Sequence, residues 1–134
     1  MTEAIRAPEV SRAASLISAW PEVRARLLEE QRRIGRTWAQ RYGGVVLDGR
    51  DIGTVVFPEA EVKVFLVADP HERARRRQQE LAARGQRLPL EVVLREVLER
   101  DARDQERALA PLRKAEDAVE LDTTALTIEE QVQR

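Results

Sequence analysis

Short apolar runs that end at or near an aspartate constrain the fold of this chain more than any other feature. The runs are Val45–Leu47, Val62–Val67 and Ala118–Leu121. Asp48, Asp69 and Asp122 follow them. The runs are rich in β-forming residues, the first is too apolar for a half-exposed edge, and helical patterns separate the second run from the third. This alternation predicts a parallel α/β sheet with flanking helices, whose carboxyl edge, where open sheets bind ligands, carries the aspartates.

Helices are predicted on both sides of the first run. Residues 8–19 form a short helix, and Pro21 opens a second at a first-turn position, which ends at Gly43-Gly44. An apolar stripe at helical spacing predicts that one face of the second helix packs in the core. It comprises Trp20, Val23, Leu27, Leu28, Ile34 and Trp38.

The second half of the chain has clear helix boundaries. Asp69 is a cap and Pro70 the start of a helix through about Arg84, which Gly85 breaks. A compact connection leads to a long helix from Leu90 to about Ala108. A last helix begins near Ile128, capped by Thr127.

Composition excludes several classes of protein. At 134 residues and 43% hydrophobic, the chain is one domain's worth and is not disordered. With no cysteine and one histidine it can form neither disulfides, zinc clusters nor histidine triads. No apolar run reaches membrane-spanning length, and residues 1–6 lack a signal-peptide core, so we expect a cytoplasmic protein.

The basic residues are almost all arginine, 21 of 23, although the net charge is −1. Arginine's planar fork suits phosphate, so the excess is compatible with a phosphorylated substrate, while biased genome composition is the plain alternative. An arginine-rich RNA-binding protein is a third hypothesis. The pI of 6.0 and the interspersed acids weaken it.

The inward face of the long helix turns acidic in its last turns. The apolar stripe is Leu90, Val93, Leu94, Val97 and Leu98. The same face continues to Asp101 and Asp104, which need cationic partners if they are partly buried. Arg100, Arg103 and Arg107 share a neighbouring face and can pair with them or reach a ligand. A salt-bridged helix without a substrate is the other interpretation.

Two further basic features bear on phosphate binding. Arg73, Arg76 and Arg77 share a helix face and could form a mobile basic flap over a triphosphate, or an ordinary solvated surface. A search for G-x-x-x-x-G-K-[ST] finds only Gly44 to Gly49 followed by Arg50-Asp51. Its middle is the Val-Val-Leu run, so it is not a phosphate loop.

Ordered motifs give the chain a close resemblance to the bacterial cytidylate kinases. They are Ile5 to Ser15, Asp48 to Pro58 (Asp-Gly-Arg-Asp-Ile-Gly-Thr and onward), Glu99 to Arg107, and Ala110-Pro111-Leu112. The resemblance implies a P-loop enzyme that moves the γ-phosphoryl group of ATP, with Mg²⁺, onto CMP or dCMP. It also implies small-molecule nucleotides as partners, with no membrane and no specific nucleic acid.

The resemblance assigns roles to single residues. Ser15, Arg24 and Asp51 would read the cytosine edge. Arg100 and Asp104 would hold the ribose hydroxyls, while Arg50 and Arg107, as catalytic arginines, would grip the CMP phosphate. Arg73, Arg76 and Arg77 would belong to the lid over the ATP phosphates, and no protein residue is assigned to a metal.

The resemblance covers residues 5–134 and implies a P-loop kinase-type sheet in truncated form, without its first strand and phosphate loop. We expect a single partial domain. Its parts are a helical segment bordering the CMP site (1–42), strands (43–68), the lid and long helix (69–108), and the last strand and helix (109–134). Such a chain would be a poor kinase alone and could need an N-terminal segment in trans, and a non-catalytic nucleotide-binding remnant is the alternative function.

Overall fold

The computed structural model describes residues 8–18 and 20–134, and within them it shows a mixed α/β fold. The helices are α1 (Pro8–Ile17), α2 (Pro21–Tyr42), α3 (Pro70–Ala83), α4 (Leu90–Gln105) and α5 (Ile128–Gln133). The strands are β1 (Val64–Val67) and β2 (Val119–Asp122). A short π-helical turn, called the π turn below, spans Ile52–Val56.

The sheet is parallel, as the sequence predicted. β1 pairs with β2 in a register that sets Val64 opposite Val119 and Val67 opposite Asp122. α3 and α4 form the crossover between the two strands, because parallel neighbours need a long connection. β1 begins two residues later than predicted, and β2 ends one residue later.

The prediction of a strand at Val45–Leu47 is wrong. Residues 44–48 have no regular structure, and the side chain of Val46 is 98% exposed. A strand exists only through hydrogen bonds to a neighbouring strand. Within the described part of the chain, the sheet contains only β1 and β2, so this apolar run has no partner there.

The core lies between α3 and α4. Ala74, Leu81 and Val93 are buried in it. Leu88, Leu90, Leu94 and Val97 pack against them, partly buried. This arrangement confirms the apolar stripe predicted for the long helix, except that Leu98 is 48% exposed.

The prediction that the apolar stripe of α2 packs in the core is wrong. Trp20 and Trp38 are 66% and 54% exposed, and Leu27 and Ile34 are each 46% exposed. The contacts of α2 with the described residues are concentrated at the π turn, where Gly35 is buried against the ring of Phe57. Four of the six stripe residues are therefore exposed, while Val23 and Leu28 are half-buried.

The predicted helix starts and caps are confirmed, whereas α1 ends at Ile17 and α4 at Gln105, two and three residues before their predicted ends. Pro21 is the first residue of α2, and Gly43 ends that helix with φ of 78°, in the left-handed region that glycine tolerates. The Asp69 side chain accepts hydrogen bonds from the first backbone amides of α3. Thr127 caps α5 through a reciprocal capping box with Glu130.

Candidate functional site

A buried carboxylate surrounded by arginines lies at the end of α4. Asp104 is 1% exposed, and its Oδ1 lies 2.5 Å from Arg107 NH2. Its Oδ2 lies 3.4 Å from Arg50 Nε and 3.8 Å from Arg100 Nε. We call these four residues the arginine cluster. They confirm the expectation that inward carboxylates on α4 find cationic partners.

The arginine cluster carries more positive charge than its single carboxylate neutralises. The pKa of Arg100 is lowered by burial first and then by repulsion from Arg50, Arg107 and Arg77, which Asp104 only partly opposes. Arginine stays charged at neutral pH despite such a shift. The surplus charge therefore favours an anion, and guanidinium groups suit phosphate oxygens.

A tight turn after α4 brings Arg107 to the cluster. The helix ends at Gln105, and the backbone amide of Leu112 donates to the carbonyl of Asp104 at 2.7 Å. Within this turn Ala110 has φ of 52°, a conformation that costs a residue with a Cβ. Strain of this kind is common where a turn is held by its surroundings at a functional site.

A second ion pair links α2 to the Asp48-Gly49-Arg50-Asp51 turn. Arg24 donates to the Asp51 carboxylate and, at 3.2 Å, to the carbonyl of Ser18. Both charged side chains are mostly buried, with 17% and 16% exposed. Asp51 directly follows Arg50 of the arginine cluster, so one turn joins the two ion-paired groups.

An open cleft of about 570 Å³ runs between this turn and the sheet. Leu47 to Arg50 line one side, and the whole of β1 lines the other. Arg73, Arg76 and Asp101 lie along the same cleft. It reaches the carboxyl end of β1, the edge at which the sequence predicted ligand binding.

Two of the three lid candidates are bound to other elements of the protein. Arg73 forms a two-pronged ion pair with Asp101, with N–O distances of 2.9 and 2.6 Å, and joins α3 to α4. Arg76 donates to the carbonyl of Thr123, just after β2, at 2.6 Å. Arg77 pairs on the surface with Glu80, one turn away.

The structure therefore brings together most of the predicted site residues. Arg50, Arg100, Asp104 and Arg107 meet in one cluster, and Arg24 and Asp51 pair beside it. Arg73, Arg76 and Arg77 lie on α3, two of them on the cleft. The side chain of Ser15 lies outside the described residues.

Sequence reasoning missed two cations that hold the site. Arg32 donates to the carbonyls of Val55 and Val56, and Lys63, 7% exposed, lies 2.5 Å from both the Pro58 carbonyl and Asp117. Every residue has a backbone carbonyl, so a sequence does not show which carbonyls a side chain will bind. These contacts were therefore not predicted. Lys63 could have been noticed as a lone charge within an apolar run.

The described residues carry neither of two other features. They contain no group of three acidic, histidine or cysteine side chains that could hold a metal ion. In the same part of the chain, no helix combines the length and the apolar character that crossing a membrane requires.

Comparison with known proteins points to one family. The sequence profile described as cytidylate kinase matches residues 1–134. The chain is 56% identical to the cytidylate kinase of Salinibacter ruber and 57% identical to that of Carboxydothermus hydrogenoformans, each over 98% of this chain. It is also 53% identical to the bifunctional pantoate ligase/cytidylate kinase of a Synechococcus strain. That match covers 95% of this chain and 22% of the relative. The chain spans 58% and 57% of the first two relatives.

Proposed function

This chain belongs to the cytidylate kinase family, and on that basis we propose that it binds CMP or dCMP and takes part in phosphoryl transfer from ATP to give CDP or dCDP. One observation carries the proposal. The positively charged arginine cluster lies next to the Arg24–Asp51 pair, and consecutive residues of a single turn connect them. A nucleoside monophosphate needs such a pairing of an anion site with a polar site for its base.

The Arg24–Asp51 pair is suited to the cytosine edge. Cytosine presents an amino donor beside a carbonyl acceptor, which complement the carboxylate of Asp51 and the guanidinium of Arg24. Adenine has an amino group but no carbonyl on that edge, so it offers Arg24 only a ring-nitrogen acceptor. Arg24 also donates to the Ser18 carbonyl, so its orientation is fixed before a ligand arrives. Ser15, from α1, is proposed to add a further contact to the base.

The arginine cluster is suited to the phosphate and the sugar. Arg50 and Arg107 approach Asp104 from different segments of the chain and are proposed to bind the CMP phosphate as the catalytic arginines. Arg100 and Asp104 are proposed to hold the ribose hydroxyls. A carboxylate has about four acceptor positions, so Asp104 can keep Arg107 in place and still accept from a hydroxyl.

Phosphoryl transfer needs positioning and neutralisation of charge rather than a covalent nucleophile. Mg²⁺ is usually held by the nucleotide phosphates with few protein groups, so we propose that it enters bound to ATP. Arg73, Arg76 and Arg77 are proposed to face the ATP phosphates. Arg73 would first have to exchange its pair with Asp101 for a phosphate.

We propose that the ATP phosphate loop comes from a further segment, joined to the chain or added in trans. The sequence has no Gly-rich loop with Lys, and the relatives named above are longer than this chain. Two features indicate a surface to which that segment could bind. Among the described residues no strand pairs with the other edge of β1, and the apolar cleft-lining residues Leu47, Val64 and Leu66 are exposed. Turnover by this chain alone is therefore expected to be low.

Calorimetric titration of this chain with CMP and with AMP tests the nucleotide site. CMP should bind more tightly, and Asp51→Ala should remove the preference and weaken CMP about tenfold or more, since hydrogen bonds to charged groups contribute about 1.5 to 3 kcal/mol. Glu99→Ala is a matched control, because that acid pairs only on the surface of α4 with Arg103. Equal binding of CMP and AMP by the unmodified chain would refute the proposal.

A coupled kinase assay tests catalysis separately. The chain is completed by the N-terminal segment of a related cytidylate kinase, by fusion or in trans, and supplied with ATP and Mg²⁺. CMP-dependent turnover that falls in Arg50→Ala and Arg107→Ala would support the proposal. CMP binding without turnover in the completed protein would identify a non-catalytic nucleotide-binding remnant instead.

RNA binding is the less favoured alternative. Several surface arginines of α2 and α3 pair with acids one turn away, as Arg26 and Arg33 do with Glu30, which weakens the case for a basic stripe. RNA affinity that falls steeply with added salt would favour this alternative over a nucleotide kinase.

A further inference from the structure

α2 contacts residues 51–57 at several points, and these contacts follow the same order along α2 as along that segment. Arg24 pairs with Asp51 and Gly35 packs against Phe57, and between them Arg32 binds the end of the π turn. We infer that Arg32 is a positioning residue, which fixes the turn that carries Arg50 and Asp51. As a role in nucleotide binding, this inference rests on the proposed function.

The π turn ends in carbonyls that its own backbone does not satisfy. The last carbonyls of any helical turn need partners from outside it. Arg32 supplies both partners, with Nε 3.0 Å from the oxygen of Val56 and NH2 2.8 Å from that of Val55. A guanidinium is a rigid fork, so binding two consecutive carbonyls fixes their relative position as well as their distance from α2.

The backbone hydrogen bonds of this turn combine π-helical with α-helical spacing. The carbonyl of Asp51 accepts from the amide of Val55 at 2.9 Å, an α-helical spacing, and from that of Val56 at 3.1 Å, a π-helical spacing. The amide of Phe57 donates to the carbonyl of Ile52 at 2.7 Å, which is a second π-helical bond. π turns are rare and occur mainly at functional sites, and here Arg32 supplies a contact from outside the turn. Arg32 holds both carbonyls in the positions that the π form requires.

The shared acceptor is the backbone of a proposed nucleotide-binding residue. A change from π to α geometry alters the bonds of the Asp51 carbonyl, and therefore the direction of the Asp51 side chain and of Arg50 before it. No strand holds residues 44–48, so nothing regular on that side opposes the change. Arg32 thus acts on the nucleotide through the turn, without contacting the nucleotide itself.

Three variants of the chain separate positioning from general stability. Arg32→Ala removes both bonds, and Arg32→Lys keeps the charge but cannot span both carbonyls with fork geometry. Arg33→Ala is the matched control, since Arg33 neighbours it on α2 and pairs with Glu30 on the surface at 2.7 Å. CMP and AMP affinities are measured by calorimetry, and amide hydrogen exchange is measured residue by residue.

Arg32→Ala should lose exchange protection at Val55, Val56 and Phe57 but not in α4. Its CMP affinity should fall about tenfold, with a smaller preference over AMP, because two hydrogen bonds from a charged group are lost. Arg32→Lys should recover part of the exchange protection and part of the CMP affinity. Arg33→Ala should match the unmodified chain in both measurements.

Distinct results would overturn the inference. CMP affinity unchanged in Arg32→Ala would refute positioning, and protection lost equally in α4 would show a merely structural role. If the unmodified chain shows no preference for CMP, the proposed function fails first. The exchange pattern then decides alone: loss confined to residues 55–57 supports the role of Arg32 in holding the turn, and unchanged protection refutes it.

Discussion

Replacing Asp104 by asparagine tests whether one buried carboxylate organises the arginine cluster. Asparagine keeps the volume of the side chain and removes its charge. The three guanidinium groups of Arg50, Arg100 and Arg107 would then repel one another around a neutral amide. We expect the folded state to lose free energy, and the loss to be reversed in part by a bound anion.

The distances set the size of the effect. At an effective dielectric constant near 20, a charge pair 2.5 Å apart, as Asp104 and Arg107 are, attracts by about 7 kcal/mol before desolvation is subtracted. Arg50 and Arg100 are about half exposed, at 44% and 53%, so solvent screens their smaller contributions. Removing one partner of a buried ion pair costs about 3 to 5 kcal/mol, and we expect about 3 kcal/mol here.

Urea unfolding of the chain and its variant, with and without inorganic phosphate, measures this change. A loss of about 3 kcal/mol is large beside the about 5 to 15 kcal/mol that stabilises a typical domain. Phosphate should stabilise Asp104→Asn more than the unmodified chain, because it restores an anion to the cluster. Glu99→Gln on the same helix removes only a surface pair and should change the free energy of unfolding by about 0.5 kcal/mol or less.

A small effect would refute this reasoning. If Asp104→Asn changes the free energy of unfolding no more than Glu99→Gln does, the arginines do not depend on the carboxylate. If phosphate stabilises both proteins equally, the cluster is not where phosphate binds.

The remaining predictions concern stability. Gly35→Ala should lower the free energy of unfolding by about 1 to 3 kcal/mol through overpacking, because the new Cβ would lie 2.6 Å from Cζ of Phe57. Ala110→Gly should raise it by up to about 1 kcal/mol by relieving the positive φ. Five carboxyl groups have lowered pKa values because they accept hydrogen bonds: Glu30 from Arg33, Glu72 from Arg75, Asp117 from Lys63, Asp122 from Thr124 and Glu130 from Thr127. Their stabilisation is complete above the ordinary pKa values of 4.5 and 3.8 and is lost as pH falls through the lowered ones, so Tm should be level near neutral pH and fall in acid.

Simple measurements check these three predictions. Gly44→Ala is the control for Gly35, because its Cβ would meet no atom within 4 Å, and equal losses for both would contradict the packing argument. A lower Tm for Ala110→Gly would show that its conformation is not strained. A Tm that rises as the pH drops below 4 would contradict the sign of the carboxyl pKa shifts.

Local chemistry made most of the helices predictable. The caps at Asp69 and Thr127 and the stop at Gly43 depend on neighbouring residues, so the sequence contains the information. The carboxylates in the last turns of the inward face of α4 also predicted a cluster with arginines correctly, because a buried carboxylate needs a counter-charge.

Partners that are distant in sequence explain what was missed. Val45–Leu47 has the composition of a strand, but pairing with another strand is what makes one. The stripe of α2 has the pattern of a core face, but a pattern does not say which element covers it. The π turn depends on Arg32, 23 and 24 residues away, through carbonyls common to every residue.

A structure of this chain bound to CMP would show directly whether the arginine cluster and the Arg24–Asp51 pair bind the nucleotide. We expect the phosphate between Arg50 and Arg107, and the cytosine edge against Arg24 and Asp51. CMP bound elsewhere, for instance along the exposed face of α2, with the arginine cluster unchanged, would contradict this expectation.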